Sequence, residues 1–504
     1  MAAYVQTLGP GRYRLTLARL SGEVLLVMDE ICARAMADPL EKLCYRPGFR
    51  ALPPVDSVAV QPQGEVWIVH ALDSLPLHRH LAGLHAGQTV RRLGLTTETR
   101  CLGPNEWDIT PEALERVMEE WPAPRLVYFL DLPQGEAELA RHEQQGVFAL
   151  LRLVQALQSR YPGAALVVKV VTGNAVDFPD SDVTPWPAGL HGFCRSAARE
   201  LPETRFVCLD VDAAFQTPER LVAAIVAEPG TESGGLVVLR RGQRFAPGLM
   251  PAKLPTRPAG APNAYRPGGT YVILGGAGGI GLVLARHLIR TAGAKVALIG
   301  RRSPDAGPEA AVAELRLIGD ALYVQADATD PVAIKTAIAQ IKEQFGPIHG
   351  AFHSAMVLAD RSLDRMDQTT FEAALQPKAC ATVHFCHALA DENLDFLLLF
   401  SSLQSFVGGP GQTNYAAGCT FLDSYAAYWR SQVAYPVRLL HWGYWGSVGV
   451  VASESYRRRL AEMGLASIEP DIGMAALDRF LASDWPQLLV VRAEQRLLEE
   501  LGVR

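Results

Sequence analysis

Short apolar runs alternate with helix-like stretches twice along this 504-residue chain, and this alternation constrains the fold more than any other feature. Apolar runs of five to eight residues between polar or glycine-rich segments predict buried strands, and apolar residues near helical spacing predict helices. A strand–helix–strand order predicts a parallel sheet with helices on its faces. The sequence therefore predicts an α/β fold of two tandem, doubly wound parallel-sheet subdomains.

The first subdomain is predicted over residues 51–250 and the second over residues 270–495. In the first subdomain, strands are predicted at 66–71, 125–132, 165–172, 205–212 and 235–240, with helices at 146–159 and 190–202. In the second subdomain, strands are predicted at 270–274, 295–299, 321–325, 348–353, 395–400, 437–442 and 487–491.

Two other segments flank these subdomains. Residues 1–50 contain the alternating stretches RYRLTLARL and GEVLLVMDE, which predict a short β segment that is too small to be a stable domain alone. Residues 251–269 are rich in proline, glycine and alanine, which disfavours a helix or a central strand and predicts a linker.

Composition narrows the classes of function. A net charge of −6 with mixed signs gives no basic field for nucleic acid, and no apolar run approaches the ~20 residues that span a bilayer. The N-terminal residues lack the apolar core of a signal peptide, which predicts a cytoplasmic location. The eight cysteines form no Cys-x-x-Cys pair or Cys/His cluster with zinc spacing, so no metal site is expected.

Only the second subdomain contains a phosphate-binding loop. Its first predicted strand runs into a G-x-G-x-x-G motif at residues 276–281 and then into a predicted helix, which is the context that dinucleotide binding requires. Glycines allow the backbone to approach a pyrophosphate, whose charge the helix N-terminus stabilises. The loop residues expected to bind the cofactor are Gly275, Gly276, Gly278, Gly279, Ile280 and Gly281.

Two arginines follow the next predicted strand, where a NAD-selective site usually has Asp or Glu. The guanidinium groups of Arg301 and Arg302 suit a 2′-phosphate, so NADPH is favoured over NADH; the alternative is two solvated arginines at a strand end. Asp327, next to Ala328 after the third strand, could accept a hydrogen bond from the adenine amino group, or it could cap the helix that starts near Pro331.

A serine and a tyrosine follow the fifth predicted strand. That strand runs into Ser401-Ser402, and Tyr415 lies thirteen residues after Ser402. Two hydroxyls beyond a dinucleotide loop suit carbonyl reduction, because they hold the carbonyl oxygen while Tyr415 donates a proton to the forming alkoxide. An unperturbed tyrosine has a pKa of about 10, so a nearby ammonium is expected to lower the pKa of Tyr415.

The second half resembles the ketoreductase domains of modular polyketide synthases, within the short-chain dehydrogenase superfamily. The stretches that match in order and spacing are LGGAGGIG, LIGRRS, HSAMVLAD, LQPKACATVHF, FSSLQSFVG, NYAAGCTFLD and HWGYWG. Ordinary short-chain dehydrogenases have Lys four residues after the Tyr; here Cys419 stands there, and Lys378, on the helix before the fifth strand, matches the displaced lysine of this family.

The resemblance implies a Rossmann-like catalytic second half that uses NADPH. It implies Tyr415, Ser402 and Lys378 as catalytic residues, and it adds to the cofactor site His353, Ser354 and Ala355. The first half resembles the family's structural, catalytically silent subdomain, and it likewise lacks a glycine fingerprint. Residues 1–45 resemble the closing strands of a dehydratase domain plus linker, so the chain is expected to be a piece of a longer synthase.

The implied substrate is a β-ketoacyl chain on the phosphopantetheine arm of an acyl carrier protein, and the implied partners are that carrier and other synthase domains. Residues 454–465 are expected to form a helical lid over the site. The triplet at 73–75, Asp-Ser-Leu, superficially resembles a carrier's attachment site, but it follows a predicted strand and is rejected as one. A reductase for α-keto or small free ketones is an alternative.

Cys419 departs from the family, which usually has Asn there to complete a tetrad that holds water and lysine in a proton relay. A thiol is smaller and a weak hydrogen-bond former. If the Asn acts mainly through its backbone carbonyl, Cys serves; if its side chain matters, the alternative is a weak, silent or epimerising module. Cys419 as a nucleophile is disfavoured, because no neighbouring feature indicates an activated thiol.

The loop after the fourth strand is associated in this family with stereochemistry. Members that form the D-alcohol typically have Leu-Asp-Asp there, and this chain has Leu-Ala-Asp at 358–360. Leu358, Asp360, Pro410 and Asn414 resemble the corresponding residues of the D-forming, B-type members. Val407 stands where members of the opposite type have Trp. The resemblance predicts a D-hydroxyl, although Asp360 could instead be a helix cap or a solvated carboxylate.

Overall fold

The computed structural model describes residues 2–9, 12–32, 38–55, 64–71, 76–85, 87–119, 121–133, 139–212, 217–255, 264–449 and 454–503. The chain divides into two compact units, Met1–Lys42 and Leu43–Arg504. The triplet at 73–75 and residues 256–263 of the predicted linker lie outside the described residues.

The N-terminal unit is a three-stranded antiparallel sheet. Its strands are β1 (Ala2–Gly9), β2 (Arg12–Ala18) and β3 (Val24–Cys32), and β2 lies between the other two. The short N-terminal β segment expected from the period-two alternation is confirmed, with β1 as an additional strand.

The first half of the larger unit contains ten strands and six α-helices among its described residues. The strands are β4 (Cys44–Ala51), β5 (Glu65–Ala71), β6 (Val90–Leu95), β7 (Arg100–Gly103), β8 (Glu106–Ile109), β9 (Pro124–Asp131), β10 (Leu166–Gly173), β11 (Thr204–Val211), β12 (Leu236–Arg240) and β13 (Gln243–Pro251). The helices are α1 (His78–Leu84), α2 (Leu114–Met118), α3 (Leu139–Glu143), α4 (Ala149–Arg160), α5 (Gly189–Glu200) and α6 (Pro218–Ala227), with a π-helical turn at Gln144–Phe148. The parallel strands pair in the order β8–β6–β5–β9–β10–β11–β12.

The second half repeats this architecture. Its strands are β14 (Thr270–Leu274), β15 (Lys295–Gly300), β16 (Ala321–Gln325), β17 (Ile348–His353), β18 (Phe396–Ser402), β19 (Val437–Trp442), β20 (Leu465–Ala466), β21 (Gln487–Val490) and β22 (Arg492–Ala493). Its helices are α7 (Gly279–Ala292), α8 (Pro308–Arg316), α9 (Pro331–Phe345), α10 (Gln368–Leu375), α11 (Cys380–Ala388), α12 (Gln404–Val407), α13 (Thr413–Arg430), α14 (Glu454–Glu462), α15 (Pro470–Leu481) and α16 (Gln495–Glu500). Short 3₁₀ turns occur in both halves: at Pro111–Ala113 and Trp186–Ala188 in the first, and at Pro304–Ala306 and Leu363–Arg365 in the second.

The second sheet has the doubly wound strand order. Its parallel strands pair in the order β16–β15–β14–β17–β18–β19–β21, so the connections reverse direction between β14 and β17. Ligands of such sheets bind beyond the carboxyl ends of the strands at this switch point. The predicted α/β fold with two parallel sheets is confirmed, and the strands predicted in each half are all present.

One strand joins the two sheets. Strand β4 pairs antiparallel with β13 of the first half and with β21 of the second. Its residues lie at the end of the segment 1–50 that the sequence predicts as a separate β segment, and β4 itself belongs to the larger unit.

Helix α5 of the first half packs directly on α13 of the second. A Cβ on Gly192 would lie 2.1 Å from the carbonyl oxygen of Ala416, and the Gly192 amide donates to Thr420 Oγ1 (3.2 Å). Arg195 and Ser196 donate to the carbonyl oxygens of Ser405 and Gly409, in the segment that precedes α13. The first half therefore supports the backbone on which the second half carries its predicted catalytic tyrosine.

No helix among the described residues is long and apolar enough to cross a bilayer. Within the same residues, no group of three or more His, Cys, Asp or Glu side chains could hold a metal ion.

Candidate active site

A cavity of about 1380 Å³ lies at the carboxyl ends of the second sheet. Of the residues singled out from the sequence, those that line it are Gly275, Gly278, Gly279, Ile280, Arg301, Arg302, Asp327, Ala328, Ser354, Ala355, Leu358, Lys378, Ser402 and Tyr415. The glycine loop and the predicted catalytic side chains therefore face one cavity, which is the arrangement that carbonyl reduction beside a dinucleotide requires.

The glycine loop is packed so closely that side chains would fill it. Gly275 has a φ of +76°, and a Cβ there would stand 2.6 Å from the Cα of Ala355. A Cβ on Gly279 would stand 2.4 Å from the amide nitrogen of Gly449, and one on Gly281 would stand 2.6 Å from the carbonyl oxygen of Gly276. Gly278 is the N-cap position of α7, so the glycine loop leads directly into the helix N-terminus. The loop at 275–281 and this helix N-terminus together form a phosphate cradle, in which a pyrophosphate fits.

The two arginines lie at the end of β15, beside the loop. Both side chains are exposed, and Arg302 Nη2 donates to the carbonyl oxygen of Ala277 (3.0 Å). The Tyr323 hydroxyl donates to the carbonyl oxygens of Gly300 (2.9 Å) and Arg302 (2.7 Å), which holds the backbone of this turn. The site thus presents exposed guanidinium groups next to the phosphate cradle.

Asp327 and Asp330 have different roles in the turn after β16. Asp327 accepts from the amide (2.9 Å) and hydroxyl (2.8 Å) of Thr329, and these hydrogen bonds lower its pKa. Asp330 is the N-cap of α9, where it accepts from Val332 (2.8 Å) and Ala333 (3.2 Å). The alternative that Asp327 caps this helix is therefore wrong, because Asp330 occupies that position.

Lys378 is buried in the wall of the cavity, with 2% of its surface exposed. It lies in the turn between α10 and α11, and not on a helix as the sequence pattern suggested. Its Nζ donates to the carbonyl oxygen of Phe400 (2.7 Å), next to Ser401 and Ser402 at the end of β18, and burial lowers the pKa of the ammonium. The carbonyl fixes the amine at the edge of the sheet where the substrate site is expected.

Tyr415 lies on α13 and is 6% exposed. Burial is the main cause that raises its pKa well above the usual value, the Cys419 sulfur raises it further, and a hydrogen bond with Ser402 lowers it. The sequence predicts a pKa lowered by a nearby ammonium, and this prediction is wrong, because desolvation outweighs the hydrogen bond with Ser402. A protonated phenol bonded to Ser402 is nevertheless a suitable proton donor.

Cys419 lies one turn after Tyr415 on α13 and is fully buried. Burial raises the pKa of its thiol to about 12, and Lys378 only partly opposes this. A nucleophilic cysteine requires a thiolate. The neutral thiol of Cys419 therefore argues against the nucleophile alternative.

Asp423, which sequence reasoning missed, follows Tyr415 and Cys419 at the same four-residue spacing on α13. Asp423 lies one turn beyond Cys419, with its Oδ1 3.7 Å from Nδ1 of the buried His441. Burial raises the pKa of Asp423, while His441, Ser401, Ser405 and Lys378 lower it. The i, i+4, i+8 spacing of 415, 419 and 423 was the available signal, because it puts all three side chains on one helix face.

The predicted stereocontrol residues separate into two groups. Leu358 lines the cavity and packs near Tyr415, and Asp360 accepts a hydrogen bond from Gln412 Nε2 (2.9 Å). Asn414 donates to the carbonyl oxygens of Ala359 (2.9 Å) and Thr370 (3.1 Å), which ties the loop to α13.

Val407, Pro410 and His353 do not line the cavity, and neither do Asp360 and Asn414. Val407 is buried in a neighbouring apolar cluster, and the carbonyl oxygen of Pro410 accepts a hydrogen bond from Arg459 (3.1 Å). His353 is fully buried with Nε2 3.2 Å from the hydroxyl of Thr382, and burial lowers its pKa to about 3. A neutral core histidine of this kind supports the end of β17 and does not reach the cofactor cradle.

Comparison with known families agrees with the family resemblance found in the sequence. Residues 269–447 match the KR domain family. Residues 81–249 match the Rossmann fold domain of polyketide synthase extender module SpnB.

Curated relatives are much longer proteins. Polyketide synthase ThaG of Burkholderia thailandensis is 40% identical over 356 residues, which are 70% of this chain and 6% of ThaG. Polyketide synthase PksN of Bacillus subtilis is 34% identical over 368 residues, which are 72% of this chain and 7% of PksN. The chain thus spans a small part of the relatives it matches.

Solved structures share the fold over about nine-tenths of the chain. A structure of A-type ketoreductases from a modular polyketide synthase has a TM-score of 0.74 and 25% identity, and covers 90% of this chain and 94% of its own. An N-terminal ketoreductase from the macrolactin assembly line, at 20% identity, has the same fold with a TM-score of 0.77, over 92% of this chain and 94% of its own. The chain therefore belongs to the ketoreductase domains of modular polyketide synthases, which are oxidoreductases acting on a ketone–alcohol pair.

Proposed function

We propose that this chain uses NADPH to reduce a β-ketoacyl thioester, held on the phosphopantetheine arm of an acyl carrier protein, to the β-hydroxyacyl thioester of D configuration. The observation that supports this most strongly is that Tyr415, Ser402 and Lys378 line the same cavity as the glycine loop. The cavity volume of about 1380 Å³ exceeds the ~300–1,000 Å³ of a usual small-molecule site, which leaves space for an acyl chain beside a dinucleotide.

The residues of the cradle fit NADPH. The glycine loop and the N-terminus of α7 would hold the pyrophosphate, and Arg301 and Arg302 would face the 2′-phosphate. The bound dinucleotide would supply the hydride. If the two arginines are merely solvated, Arg302→Ala should leave the KM for NADPH unchanged, as it leaves the KM for NADH.

Ser402 and Tyr415 carry the carbonyl chemistry. Their hydroxyls would donate to the ketone oxygen and stabilise the negative charge that develops there. Tyr415 would then transfer its proton to that oxygen. Lys378, fixed by the Phe400 carbonyl, would place a positive charge near this region and favour the phenolate that remains.

The carrier-bound substrate and the D configuration come from the family and from the loop at 358–360. ThaG and PksN are polyketide synthases, and the chain matches only a small part of each, which supports action on a chain presented by another part of a synthase. Asp360 and Asn414 are both engaged beside Tyr415, which supports a role of this loop in orienting the ketone.

An alternative proposal is a silent or epimerising module, and Cys419 is the residue that favours it. The intact set of Lys378, Ser402 and Tyr415 around one cavity favours reduction instead. The two proposals differ in NADPH consumption, since only reduction uses it up.

The test is the loss of NADPH absorbance with a β-ketoacyl thioester, followed by chiral analysis of the alcohol. We expect turnover by the unaltered chain, a loss of about 10²–10⁴-fold in Tyr415→Phe, and D product. Arg302→Ala should raise the KM for NADPH several-fold and leave the KM for NADH unchanged.

Steady absorbance despite measured NADPH binding would support the silent module. L product would refute the stereochemical part alone. Turnover of a decalone but not of the thioester would support the alternative of a reductase for free ketones.

A further inference from the structure

Helix α14 is joined to the loop after β17 by a partly buried hydrogen bond that no sequence motif indicated. The Tyr456 hydroxyl donates to Oδ2 of Asp360 (2.9 Å), and the same oxygen accepts from Gln412 Nε2 (2.9 Å). One carboxylate oxygen therefore connects three segments: α14, the loop at 358–360 and the residue that precedes α13. Hydrogen bonds to a charged acceptor are stronger than neutral ones, so this junction fixes the three segments relative to one another.

The junction lies beside the proposed reaction centre. Gln412 is the N-cap position of α13, three residues before Tyr415. Leu358, two residues before Asp360, packs against the cluster that contains Tyr415 and Cys419. A displacement of Asp360 would therefore move the wall against which a ketone must lie.

Helix α14 forms another part of the cavity wall. Three residues of the helix, Tyr456, Arg459 and Leu460, line the cavity, as does Met463 directly after it. Besides the Tyr456 bond, Arg459 donates to the carbonyl oxygen of Pro410 (3.1 Å), two residues before Gln412. Helix α14 and Leu358 of the 358–360 loop therefore border the same cavity as Tyr415.

The carboxylate of Asp360 depends on these donors. Its Oδ1 is buried without a hydrogen-bond partner among the residues that the structure describes. Among the described residues, removal of the Tyr456 hydroxyl would leave only Gln412 to donate to this half-buried carboxylate, which favours its movement towards solvent. Burial and the Asp360 charge raise the pKa of Tyr456 to about 12, so its hydroxyl remains a donor throughout the neutral range.

We propose that Tyr456 is a specificity-determining residue: its hydroxyl joins α14 to Asp360 and thereby fixes the orientation in which the ketone meets Tyr415. Tyr456 is a positioning residue that acts through Asp360 and takes no part in proton transfer. The inference rests on the proposed ketone reduction at the same site. A large thioester substrate must pass between α14 and the loop, so it feels the loss of the contact more than a small ketone does.

The test is a double-mutant cycle of Tyr456→Phe and Asp360→Ala, with NADPH, a β-ketoacyl thioester and trans-1-decalone as probes. Tyr456→Phe keeps the ring and removes only the hydroxyl. We expect the ratio of D to L alcohol from the thioester to fall about tenfold or more, KM to rise several-fold and kcat to stay within about twofold. The decalone rate should change by less than about twofold, and Tyr456→Phe should add less than twofold to the effects of Asp360→Ala.

Arg457→Ala is the matched control on the same helix, because the Arg457 side chain is exposed and its ion pair is with Glu454 of that helix. It should change none of these quantities. Amide hydrogen exchange in α14 should become faster in Tyr456→Phe, which shows the loosened helix even if turnover is too low to measure.

An unchanged D to L ratio in Tyr456→Phe, or a full additional loss in the Asp360→Ala background, would overturn the inference. Absence of turnover by the unaltered chain with both probes would overturn the proposed function and this inference with it. Turnover by the unaltered chain with unaltered selectivity in Tyr456→Phe would overturn the inference alone.

Discussion

Gly418 lets helix α13 lie directly on the side chain of Lys378. A Cβ on Gly418 would stand 2.9 Å from the Cβ of Lys378 and 3.4 Å from its Cγ. The next residue along the helix is Cys419, and Tyr415 lies three residues before Gly418. One glycine therefore controls how close the helix with the proposed acid approaches the buried amine.

Gly418→Ala should separate these two groups. A contact of 2.9 Å between carbon atoms is too short to persist, so either Lys378 or α13 must shift. We expect kcat to fall about tenfold or more, with NADPH affinity retained. Steady-state kinetics and cofactor titration measure the two effects.

Gly83→Ala is the control for that substitution. Gly83 lies in α1, and a Cβ there would meet nothing within 4 Å. It should leave kcat unchanged and raise stability slightly, by about 0.5–1 kcal/mol. An unaltered kcat in Gly418→Ala would show that the spacing of α13 and Lys378 does not matter.

Cys419 should be dispensable as a thiol. Its pKa is raised to about 12 by burial, so almost no thiolate is present near neutral pH. We expect Cys419→Ser to retain at least about half of kcat, and iodoacetamide at pH 8 to leave Cys419 unmodified in the folded protein. Peptide mass spectrometry of the alkylated chain checks the second point. A hundredfold loss in Cys419→Ser would instead assign the thiol an essential role.

The buried His353 should make the protein sensitive to acid. Burial, with a further contribution from Lys378, lowers its pKa to about 3, whereas an unfolded histidine titrates near 6.5. The unfolded state therefore binds the proton first, and the stabilisation present above pH 6.5 is lost as the pH falls towards 3. One such group accounts for about 2 kcal/mol between pH 7 and pH 5.

Urea unfolding at pH 7 and pH 5 measures this effect in the unaltered chain and in His353→Gln. The variant is less stable at pH 7, but it should lose about 2 kcal/mol less on acidification. An equal loss in the two proteins would mean that His353 does not titrate differently in the folded state.

The strands that the sequence predicts are those with long apolar runs, and the strands it misses have identifiable reasons. Strands β4 and β13 contain Pro47 and Pro247, which remove backbone donors and break the apolar pattern. Strand β6 contains Arg92, which is partly buried because it pairs with Asp108 (3.2 Å) and Glu106. Such paired charges make a buried strand look like a polar loop.

The site could be predicted as far as local motifs extend. The glycine loop and Tyr415 follow from the order of elements around them, and Lys378 follows from family resemblance. The contacts of Asp423 with His441 and of Tyr456 with Asp360 could not be predicted from the sequence. The two residues of each pair lie 18 and 96 positions apart, and their proximity depends on the packed fold. The family resemblance implied His353 as a cofactor-site residue, but alternation along β17 directs its side chain into the core.

The account depends most on Lys378 acting with Tyr415 in a single cavity. The most direct measurement is the single-turnover rate of β-ketoacyl thioester reduction by Lys378→Met, with NADPH binding measured in the same preparation by its fluorescence. We predict a rate at least about a hundredfold below that of the unaltered chain, with NADPH still bound. Reduction by Lys378→Met at the unaltered rate would contradict the account.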